Sequence, residues 1–360
     1  MRPALKPGLL PVWRDRDTLQ IGIDPRRAVA LSGVGASALL FGLIGLLDGS
    51  RDLSAMIAAA CDDGIPAEAA HRVITLLAAA GVLDDFPAAT LRAVPDGVRS
   101  RLGPERATAA LARGDTDGGA RVLARRSAAY VRVYGAGRAG SAIAALLAAS
   151  GVGHVSCRDS GTAFAADLSP AGLSEADIGA PRSAGVARAI RRSAPEVRTD
   201  DDAARPDLVV LTGRHGPELA AELTADGVPH LAVSAGEAIG IVGPLVIPGR
   251  SACLRCLDLA RTDRDPAWPT LLAQLIGRQP DVPACDATLA TNVAATASAQ
   301  LLAFIDSSGT ADAVTNGTLE LVLPDWQWRR RTWLPHIRCG CTRDAASTGS
   351  TACSGAGAGA

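Results

Sequence analysis

The stretch YVRVYGAGRAGSAIAALLAASGVGHVSCRDSG, residues 130–161, decides the fold of this chain. YVRVY alternates as strands do and runs directly into a glycine-rich turn, which opens an alanine-rich helix. The segment VGHVSCRD follows as a second strand. A strand, a glycine turn, a helix and a second strand in this order predict an α/β fold with a Rossmann-like, doubly wound sheet.

The turn carries the pattern G-x-G-x-x-G, formed by Gly135, Gly137 and Gly140, and Asp159 ends the second strand about 20 residues later. In this setting a phosphate binds at the helix N-terminus and the acid hydrogen-bonds to a ribose. Arg138, inside the turn, adds a cation that can hold a phosphate. These five residues are the predicted nucleotide-binding residues, while occupancy by a nucleotide stays open.

Further strands and helices continue the predicted sheet towards the C-terminus. PDLVVL, VPHLAVSAG and IGIVGPLVIPG are predicted strands, and ACDATLATNVAATASAQLLAFID is a predicted long helix packed on both sides. LELVLPDWQWRRRTWLPHIRCGC adds two strands joined near Pro324 and Asp325. We therefore assign residues 130–343 to one nucleotide-binding-fold domain and residues 344–360 to a disordered tail.

Residues 1–86 are predicted to form a winged-helix-like domain, followed by a helical linker over residues 87–129. Short extended stretches precede three helical stretches, and VLDDF is a predicted returning strand. The third helix offers only Arg72 for a phosphate contact, which disfavours DNA binding. Two interpretations stay open: a small packing domain, or a module in which a peptide adds along a strand edge beside an apolar groove.

Composition excludes several classes of function. The formal net charge is −1, so the chain has no basic field to attract nucleic acid or an anionic membrane. Lys6 is the single lysine, which excludes a P-loop lysine and a lysine Schiff base elsewhere. The longest apolar run, Val34 to Leu47, is shorter than the roughly 20 residues of a membrane helix, and no signal peptide is visible. A cytoplasmic protein is predicted, in which Cys61 and Cys157 are buried thiols.

Four of the eight cysteines have the spacing of metal ligands. Cys253 and Cys256 form a C-x-x-C pair, and Cys339 and Cys341 form a C-x-C pair. Four thiolates around Zn²⁺ make a closed site with no position for a catalytic water, so a structural zinc ion is predicted. Replacement of one sulfur by His336 stays open, as does a set of four unliganded thiols.

The glycine-rich half followed by the two cysteine pairs resembles the ThiF/MoeB family of adenylyltransferases, which have the fold of ubiquitin-like-protein activation. The resemblance extends from about Tyr130 to Cys341. Its motifs are GAGRAG, GVGHVSCRD, EADIGAPR, GPLVIPG with the following CLRC, and CDATLATN. The resemblance implies ATP as the nucleotide and transfer of AMP to a C-terminal carboxylate.

The N-terminal region and the runs CLDLARTDRDPAW and WLPHIRCGC resemble more specifically a ThiF-related branch of peptide natural-product biosynthesis. Proteins of that branch are similar to the partner component of YcaO cyclodehydratases, which form azolines from Cys, Ser and Thr. The resemblance implies a precursor leader peptide bound by the winged-helix-like domain and a YcaO-type enzyme docked on the ThiF-like domain. It also implies a homodimer.

Several residues depart from the ATP-using pattern of the family. Arg182 replaces the family lysine and keeps its positive charge, so the resemblance adds Arg182 to the predicted nucleotide-binding residues. Asp167 stands where an Asn is expected. The strand that a metal-binding aspartate should follow is followed by TGRHG, which has no carboxylate. Because lost charge stabilisation lowers rates by orders of magnitude, the pattern implies a degenerate ATP site in a non-catalytic partner protein. An active adenylyltransferase acting on a peptide or carrier-protein carboxylate is the alternative.

Cys285 stands at the start of the long predicted helix, where some ThiF-like enzymes carry a sulfur-accepting cysteine. A helix N-terminus lowers the pKa of a thiol, so a reactive nucleophile is one interpretation of Cys285, and an unreactive buried thiol is the other. A nicotinamide-dependent oxidoreductase is disfavoured, because no catalytic set of Tyr, Lys or His accompanies the glycine turn.

Overall fold

The computed structural model describes residues 1–32, 37–85, 95–276, 278, 282–307 and 313–341. The chain divides into two compact units, Met1–Ala124 and Arg125–Ala360. The described part of the predicted linker contains three helices, most of which belong to the first unit. The predicted tail, residues 344–360, lies outside the described residues.

The first unit combines two small antiparallel sheets with α-helices. Its strands are β1 (Pro3–Leu5), β2 (Pro11–Trp13), β3 (Thr18–Ile21), β4 (Val29–Ser32) and β5 (Leu83–Asp85). Its helices are α1 (Ser37–Gly45), α2 (Leu53–Asp62), α3 (Ala67–Ala79), α4 (Asp96–Arg101), α5 (Gly103–Arg113) and α6 (Ala120–Ala128), of which α6 continues into the second unit. One sheet has the order β2-β3-β4, and in the other β1 pairs with β5. The three-stranded sheet therefore precedes helices α1 to α3 in the chain.

An apolar core joins the three-stranded sheet to α1, α2 and α3. Along β3, Leu19 and Ile21 are fully buried, which is the alternation expected of a strand with one face on a core. Leu77 of α3 is also fully buried. Helix α2 begins after Asp52, whose carboxylate accepts the N–H of Ala55 at 2.9 Å. This cap satisfies one of the free N–H groups at the helix start.

The single lysine is buried in the first unit. Lys6 Nζ lies 2.6 Å from Asp84 Oδ1 and also donates to the carbonyl oxygens of Ala110 and Asp115. The Lys6 and Asp84 side chains are 1% and 3% exposed. Burial raises the pKa of Asp84, and the ammonium of Lys6 opposes that shift. Lys6 therefore fastens β1 to β5 and to the end of α5.

The second unit is built on a mixed seven-stranded sheet. Its strands are β6 (Tyr130–Tyr134), β7 (His154–Arg158), β8 (Leu208–Thr212), β9 (His230–Gly236), β10 (Ile239–Val246), β11 (Gly317–Val322) and β12 (Gln327–Thr332). Its helices are α7 (Arg138–Ala149), α8 (Arg182–Ser193), α9 (Pro217–Ala225), α10 (Leu254–Arg264), α11 (Trp268–Leu275) and α12 (Ala287–Asp306), with 3₁₀ turns at Ala165–Asp167 and Glu175–Asp177.

The strand order is β12-β11-β10-β9-β8-β6-β7. Strands β7, β6, β8 and β9 are parallel, whereas β9 to β12 pair antiparallel with their neighbours. The predicted α/β class is confirmed. The antiparallel half follows from short connections, since β9 and β10 are joined by a two-residue turn and β11 and β12 by another short turn.

Helices α7 and α12 pack on each other and in the core of the sheet. Leu289, Val293 and Ala297 of α12 are fully buried at helical spacing. By length and composition α12 is apolar enough to cross a membrane. This is weak support for a membrane span, because the core helix of a globular domain has the same composition.

The prediction that Cys61 is buried is wrong. Helix α2 turns Met56, Ile57 and Ala60 towards the core, which leaves Cys61 exposed. Cys157, in β7, is half-buried, and burial raises the pKa of its thiol to about 12.

Candidate nucleotide cleft and metal centre

The glycine turn lies where the strand order of the parallel strands reverses. Strand β6 has β7 on one side and β8 on the other, so a crevice opens at their carboxyl ends. Gly135 has a φ of +91°, and a Cβ on Gly140 would lie 2.1 Å from the carbonyl oxygen of Gly135. Thr212 Oγ1, at the end of β8, lies 2.9 Å from the carbonyl oxygens of Tyr134 and Gly135. Both glycine positions are therefore required by close packing of the turn.

Asp159 follows β7 and contacts the glycine turn. Its Oδ2 accepts the N–H of Ala136 at 2.8 Å, and its Oδ1 accepts the N–H of Gly161 at 2.7 Å. Only 11% of the side chain is exposed. The structure thus brings the predicted ribose-binding acid against the turn, with both carboxylate oxygens already holding backbone N–H groups.

Arg182 begins α8 and lies between two carboxylates. Its Nε donates to Asp167 Oδ2 at 2.9 Å, and its Nη1 lies 3.8 Å from Asp159 Oδ1. The three side chains are between 11% and 18% exposed, so solvent screens their charges only partly. The charge of Arg182 is therefore compensated by acids of the protein.

The loop after β8 supplies cationic and imidazole groups. His215 Nε2 lies 3.0 Å from the carbonyl oxygen of Thr212, and Arg214 Nη2 lies 3.1 Å from Glu237 Oε1. Glu237 belongs to the turn between β9 and β10 and has a φ of +55°. Glu237 is not among the site residues that the sequence predicts. Glu237 directly follows the predicted strand VPHLAVSAG, and this position could have predicted it. Strand β9 is parallel to β8, so both strands end at the same edge of the sheet.

Arg138 and Cys285 meet beside the glycine turn. Arg138 Nε donates to the carbonyl oxygen of Ala166 at 2.6 Å, and its Nη1 donates to that of Cys285 at 3.0 Å. The N-cap of α12 is Asp286, whose carboxylate accepts the N–H of Leu289 at 2.7 Å. Burial raises the pKa of the Cys285 thiol, and Arg138 opposes that shift. This environment disfavours a thiolate, although Cys285 does reach the cleft.

Four sulfur atoms meet at the start of α10. The Sγ atoms of Cys253, Cys256, Cys339 and Cys341 all lie within 4.8 Å of one another. The Sγ atom of Cys253 is 3.8 Å from that of Cys256 and 3.5 Å from that of Cys339. A tetrahedral zinc ion with Zn–S distances of about 2.3 Å needs sulfur atoms about 3.8 Å apart. This donor set therefore fits a zinc ion, with one thiolate from each cysteine.

Neighbouring hydrogen-bond donors favour a thiolate at Cys256. The pKa of Cys256 is lowered to about 4, first because its sulfur accepts a hydrogen bond from the Cys253 thiol, and further because the backbone N–H of His336 donates to it at 3.3 Å. The ring of His336 is engaged elsewhere, with Nε2 2.7 Å from Asp263 Oδ2 and Nδ1 accepting the N–H of Arg338. His336 thus contributes its backbone, and its ring takes no place among the four donors.

A second group of possible metal ligands, which the sequence motifs do not predict, is formed by His154, Asp200 and Asp202. Arg198 Nη2 lies 2.7 Å from Asp200 Oδ2 and 2.8 Å from Asp202 Oδ2. His154 Nε2 lies 2.7 Å from the carbonyl oxygen of Asp200. Because the positive charge of Arg198 already compensates the carboxylates of Asp200 and Asp202, we assign no metal ion to this group.

The region around the glycine turn matches a known protein family. Residues 113–212 match the model of the ThiF family. This range contains the glycine turn, Asp159, Arg182 and the end of β8. No curated protein matches the chain in sequence.

Solved structures of low sequence identity share the fold along nearly the whole chain. E. coli MccB with AMPCPP and selenomethionine MccA is 15% identical with a TM-score of 0.68, and the match covers 95% of this chain and 99% of that one. E. coli MccB with ATP is 15% identical with a TM-score of 0.65, over 95% and 100% of the two chains. PaaA is 14% identical with a TM-score of 0.67, over 91% and 98%. MccB is described as a microcin C7 biosynthetic enzyme. Residues 113–212 of this chain thus match the ThiF family, and the chain as a whole shares its fold with the solved MccB and PaaA structures.

Proposed function

We propose that this protein is a non-catalytic scaffold, which binds the leader of a precursor peptide and presents it to a YcaO-type cyclodehydratase in thiazole and oxazole peptide biosynthesis. The observation that carries this proposal is the state of the cleft at the glycine turn. Arg182 is paired with Asp159 and Asp167, and the loop after β8 has no carboxylate. The cleft has the shape of a nucleotide site but lacks the set of free cations and the Mg²⁺-binding carboxylate that ATP chemistry needs.

The residues of this cleft do not fit an ATP–magnesium complex. Transfer of AMP needs cations around the triphosphate and a carboxylate for Mg²⁺. Arg182 is compensated by two acids, and Glu237, which pairs with Arg214 of the loop after β8, is 77% exposed. We therefore derive no reaction step through ATP.

The first unit offers surfaces that suit an extended peptide. Among the described residues, the outer strands β2 and β4 of the three-stranded sheet have one partner each, and such edges accept peptides by strand addition. Apolar side chains are exposed in the same unit, with Leu10 70% and Leu76 56% exposed. Trp13 is 44% exposed and its ring stacks on Phe41 with centroids 6.0 Å apart. E. coli MccB, which shares this fold and has been solved with MccA, supports a peptide partner for this chain.

A zinc ion would have a structural role. Cys253 and Cys256 stand at the start of α10, whereas Cys339 and Cys341 follow β12. With four thiolates the ion has no open coordination position, so it supplies only a link between these two parts of the chain.

Binding of the leader peptide encoded beside the gene tests the peptide half of the proposal. We expect full-length protein to bind it with a dissociation constant of about 1 μM or tighter in fluorescence anisotropy. Leu10→Asp and Leu76→Asp each place a charge on an apolar surface of the first unit, and at least one should weaken binding tenfold or more. Ile337→Asp, at a position 83% exposed in the second unit, is the matched control. Unchanged binding in both test variants would contradict leader capture by the first unit.

Reconstitution of the purified proteins tests whether this protein presents the precursor peptide to a YcaO-type enzyme. The YcaO-type enzyme encoded beside the gene should form azolines on the precursor only when this protein is added, as mass spectrometry would show by the loss of water. The protein alone should give no ATP–pyrophosphate exchange. Azoline formation at full rate without this protein would rule out the scaffold role.

The second candidate function is an active adenylyltransferase of the ubiquitin-activating type, acting on a peptide or carrier-protein carboxylate. The likeness to E. coli MccB over 95% of this chain, including a structure with ATP, favours it. Incorporation of labelled pyrophosphate into ATP by the purified protein and an acceptor peptide would select this function over the scaffold.

We include a homodimer and a cytoplasmic location in the proposal. ThiF-like relatives pair two copies through the nucleotide-binding region, and sedimentation velocity would detect the dimer directly. A set of free thiolates for a metal ion suits a reducing compartment.

A further inference from the structure

An exposed loop, residues 334–338, joins β12 to the cysteine centre and carries two large apolar side chains at the surface of the second unit. Leu334 is 74% exposed and Ile337 is 83% exposed. Trp333, directly before this 334–338 loop, is 4% exposed and packs with the buried cysteines. Single exposed apolar side chains are common on proteins, so the exposure indicates a binding site only together with further features of the loop.

The 334–338 loop is held in place by contacts to the cysteine centre and to α10. The backbone N–H of His336 donates to Cys256 Sγ at 3.3 Å, and its carbonyl oxygen accepts the N–H of Cys339 at 2.8 Å. His336 Nε2 lies 2.7 Å from Asp263 Oδ2, and Arg338 donates to the other oxygen of the same carboxylate. Because these contacts fix the backbone of the loop, a partner that binds it pays little conformational entropy.

Cationic side chains surround the base of the 334–338 loop. Three guanidinium groups lie over the Trp333 ring with Cζ–centroid distances of 5.5, 5.9 and 5.7 Å, those of Arg261, Arg264 and Arg331. Among the residues that the structure describes, Arg264 is exposed and forms no ion pair with a carboxylate. Arg338, within the loop, is 54% exposed. A partner surface with carboxylates opposite these arginines has the complementary charge.

We propose that the 334–338 loop is the docking site for the partner enzyme and enters an apolar pocket of that enzyme whose rim carries carboxylates. Leu334 and Ile337 fill the pocket, and Arg264 pairs with a carboxylate of the rim. Interfaces commonly combine such an apolar centre with a charged rim. This inference rests on the scaffold function proposed above and adds the place at which the enzyme docks. A zinc ion bound by the four cysteines holds the loop in the shape that the enzyme recognises.

A second copy of this chain suits the 334–338 loop less well than a different protein. A symmetric contact through the loop brings the same surface of two copies together, so Arg264 and Arg338 of one copy face the same residues of the other. Like charges across an interface are unfavourable. The charge around the loop therefore favours a partner with an acidic rim.

Biolayer interferometry with the full-length protein and the YcaO-type enzyme encoded beside the gene tests the docking site. We expect Leu334→Asp and Ile337→Asp each to raise the dissociation constant at least tenfold, because each places a charge in the apolar pocket. Ile23→Asp, at a position 84% exposed in the first unit, is the matched control and should stay within about twofold. All three positions are exposed, so the variants should fold, as circular dichroism would show. Affinities of both loop variants equal to that of Ile23→Asp would overturn the inference.

Arg264→Glu tests the charge of the partner's rim. Reversal of the charge should weaken binding of the enzyme at least tenfold at low salt, and the loss should shrink as salt screens the interaction. Arg14→Glu, at an exposed arginine of the first unit, is the control and should leave the affinity unchanged. Tighter binding of Arg264→Glu than of the unsubstituted protein would mean that the rim is basic, and would contradict the proposed partner.

Asp263→Ala tests whether the 334–338 loop must be held. The variant removes the acceptor of His336 Nε2 and of Arg338, so the loop loses its contact with α10. We expect a loss of affinity for the enzyme of about fivefold, with Asp226→Ala, at an exposed acid of the same unit, as the control. Equal affinities of the two variants would show that the contact with Asp263 does not prepare the loop for binding.

The docking site and the scaffold function fail in different ways. Leader binding is measured without the enzyme and with variants of the first unit, so it does not depend on the 334–338 loop. If the enzyme binds all loop variants as tightly as the unsubstituted protein, and azolines still form, only the docking site is wrong. If the enzyme does not bind the unsubstituted protein, the scaffold function falls together with the docking site. Altered sedimentation of Leu334→Asp with unchanged affinity for the enzyme would assign the loop to a second copy and overturn the inference.

Discussion

The cysteine centre, formed by Cys253, Cys256, Cys339 and Cys341, and the glycine-turn cleft both lie in the second unit. They differ in whether their ionisable groups have partners of opposite charge within the protein. At the centre, four sulfur donors crowd within 4.8 Å of one another, and no cationic side chain takes a place among them. In the cleft, Arg182 instead pairs with Asp159 and Asp167. A set of donors that lacks its counter-charge indicates a resident ion, whereas charges that pair with one another make a cleft stable without a ligand.

The largest effect is expected from Cys256→Ser. We expect the variant to lose bound zinc, and the second unit to lose on the order of 5 kcal/mol in free energy of unfolding, because zinc binds the thiolates of the folded state. Zinc content after denaturation in a chromogenic chelator and urea unfolding measure the two quantities. Cys61→Ser, at an exposed cysteine outside the centre, is the control and should change neither. Full zinc content in Cys256→Ser would contradict the assignment.

Gly140→Ala tests whether the cleft depends on close packing of its turn. An added Cβ would lie 2.1 Å from the carbonyl oxygen of Gly135, so the turn must open, at a cost of about 3 kcal/mol in free energy of unfolding. Gly137→Ala is the matched control because a Cβ there meets nothing within 4 Å, and it should cost less than about 1 kcal/mol. Urea unfolding measures both variants. Equal losses would mean that the turn is not held by this contact.

Arg182→Met tests the balance of charges in the cleft. It leaves Asp159 and Asp167 without their cation, and we expect a loss of about 2 kcal/mol in free energy of unfolding, less than a fully buried pair because the groups are partly exposed. Arg198→Met removes an arginine that is 58% exposed from a similar pair of acids and should cost less than about 1 kcal/mol. If the two variants lose equal stability, the paired charges do not stabilise the cleft.

The smallest effect concerns Cys285, which lies in the cleft and outside the cysteine centre. Because burial raises the pKa of its thiol above the ordinary value of 9.0, the thiolate forms only as the pH rises beyond that value. Iodoacetamide should therefore label Cys285 at pH 8 about tenfold more slowly than the exposed Cys61, as peptide mass spectrometry would measure. Faster labelling of Cys285 than of Cys61 would restore the reactive-nucleophile interpretation.

The sequence predicts those parts of the fold that local geometry determines. Gly135 needs a positive φ, and Gly140 lies too close to the backbone of Gly135 to carry a Cβ. The glycine pattern therefore predicts the strand, turn and helix around it. The exposure of Cys61 could not be read from its spacing with Leu53 and Ile57, because the helix face depends on which neighbours pack against it. The pairing of β1 with β5 likewise joins residues that are distant in the chain.

Within the site, spacing predicts the cysteine set because a tight turn limits how two thiolates can meet. The partners of long side chains are not predicted in the same way. Arg182 was expected to replace a lysine at a phosphate, and its pairing with Asp167 depends on how the 3₁₀ turn at Ala165–Asp167 packs against α8. The contacts of Arg138 with Ala166 and Cys285 join three separate elements of the chain.

The burial of Lys6 affects how this protein responds to acylating reagents. Since Lys6 is the single lysine and 1% exposed, its amine is shielded from solvent in the native state. An activated ester, or an acyl-adenylate released by a neighbouring enzyme, would therefore find no side-chain amine on the surface of this protein. Acylation of Lys6 would accordingly report the opening of the first unit, at a rate set by local unfolding rather than by the reagent.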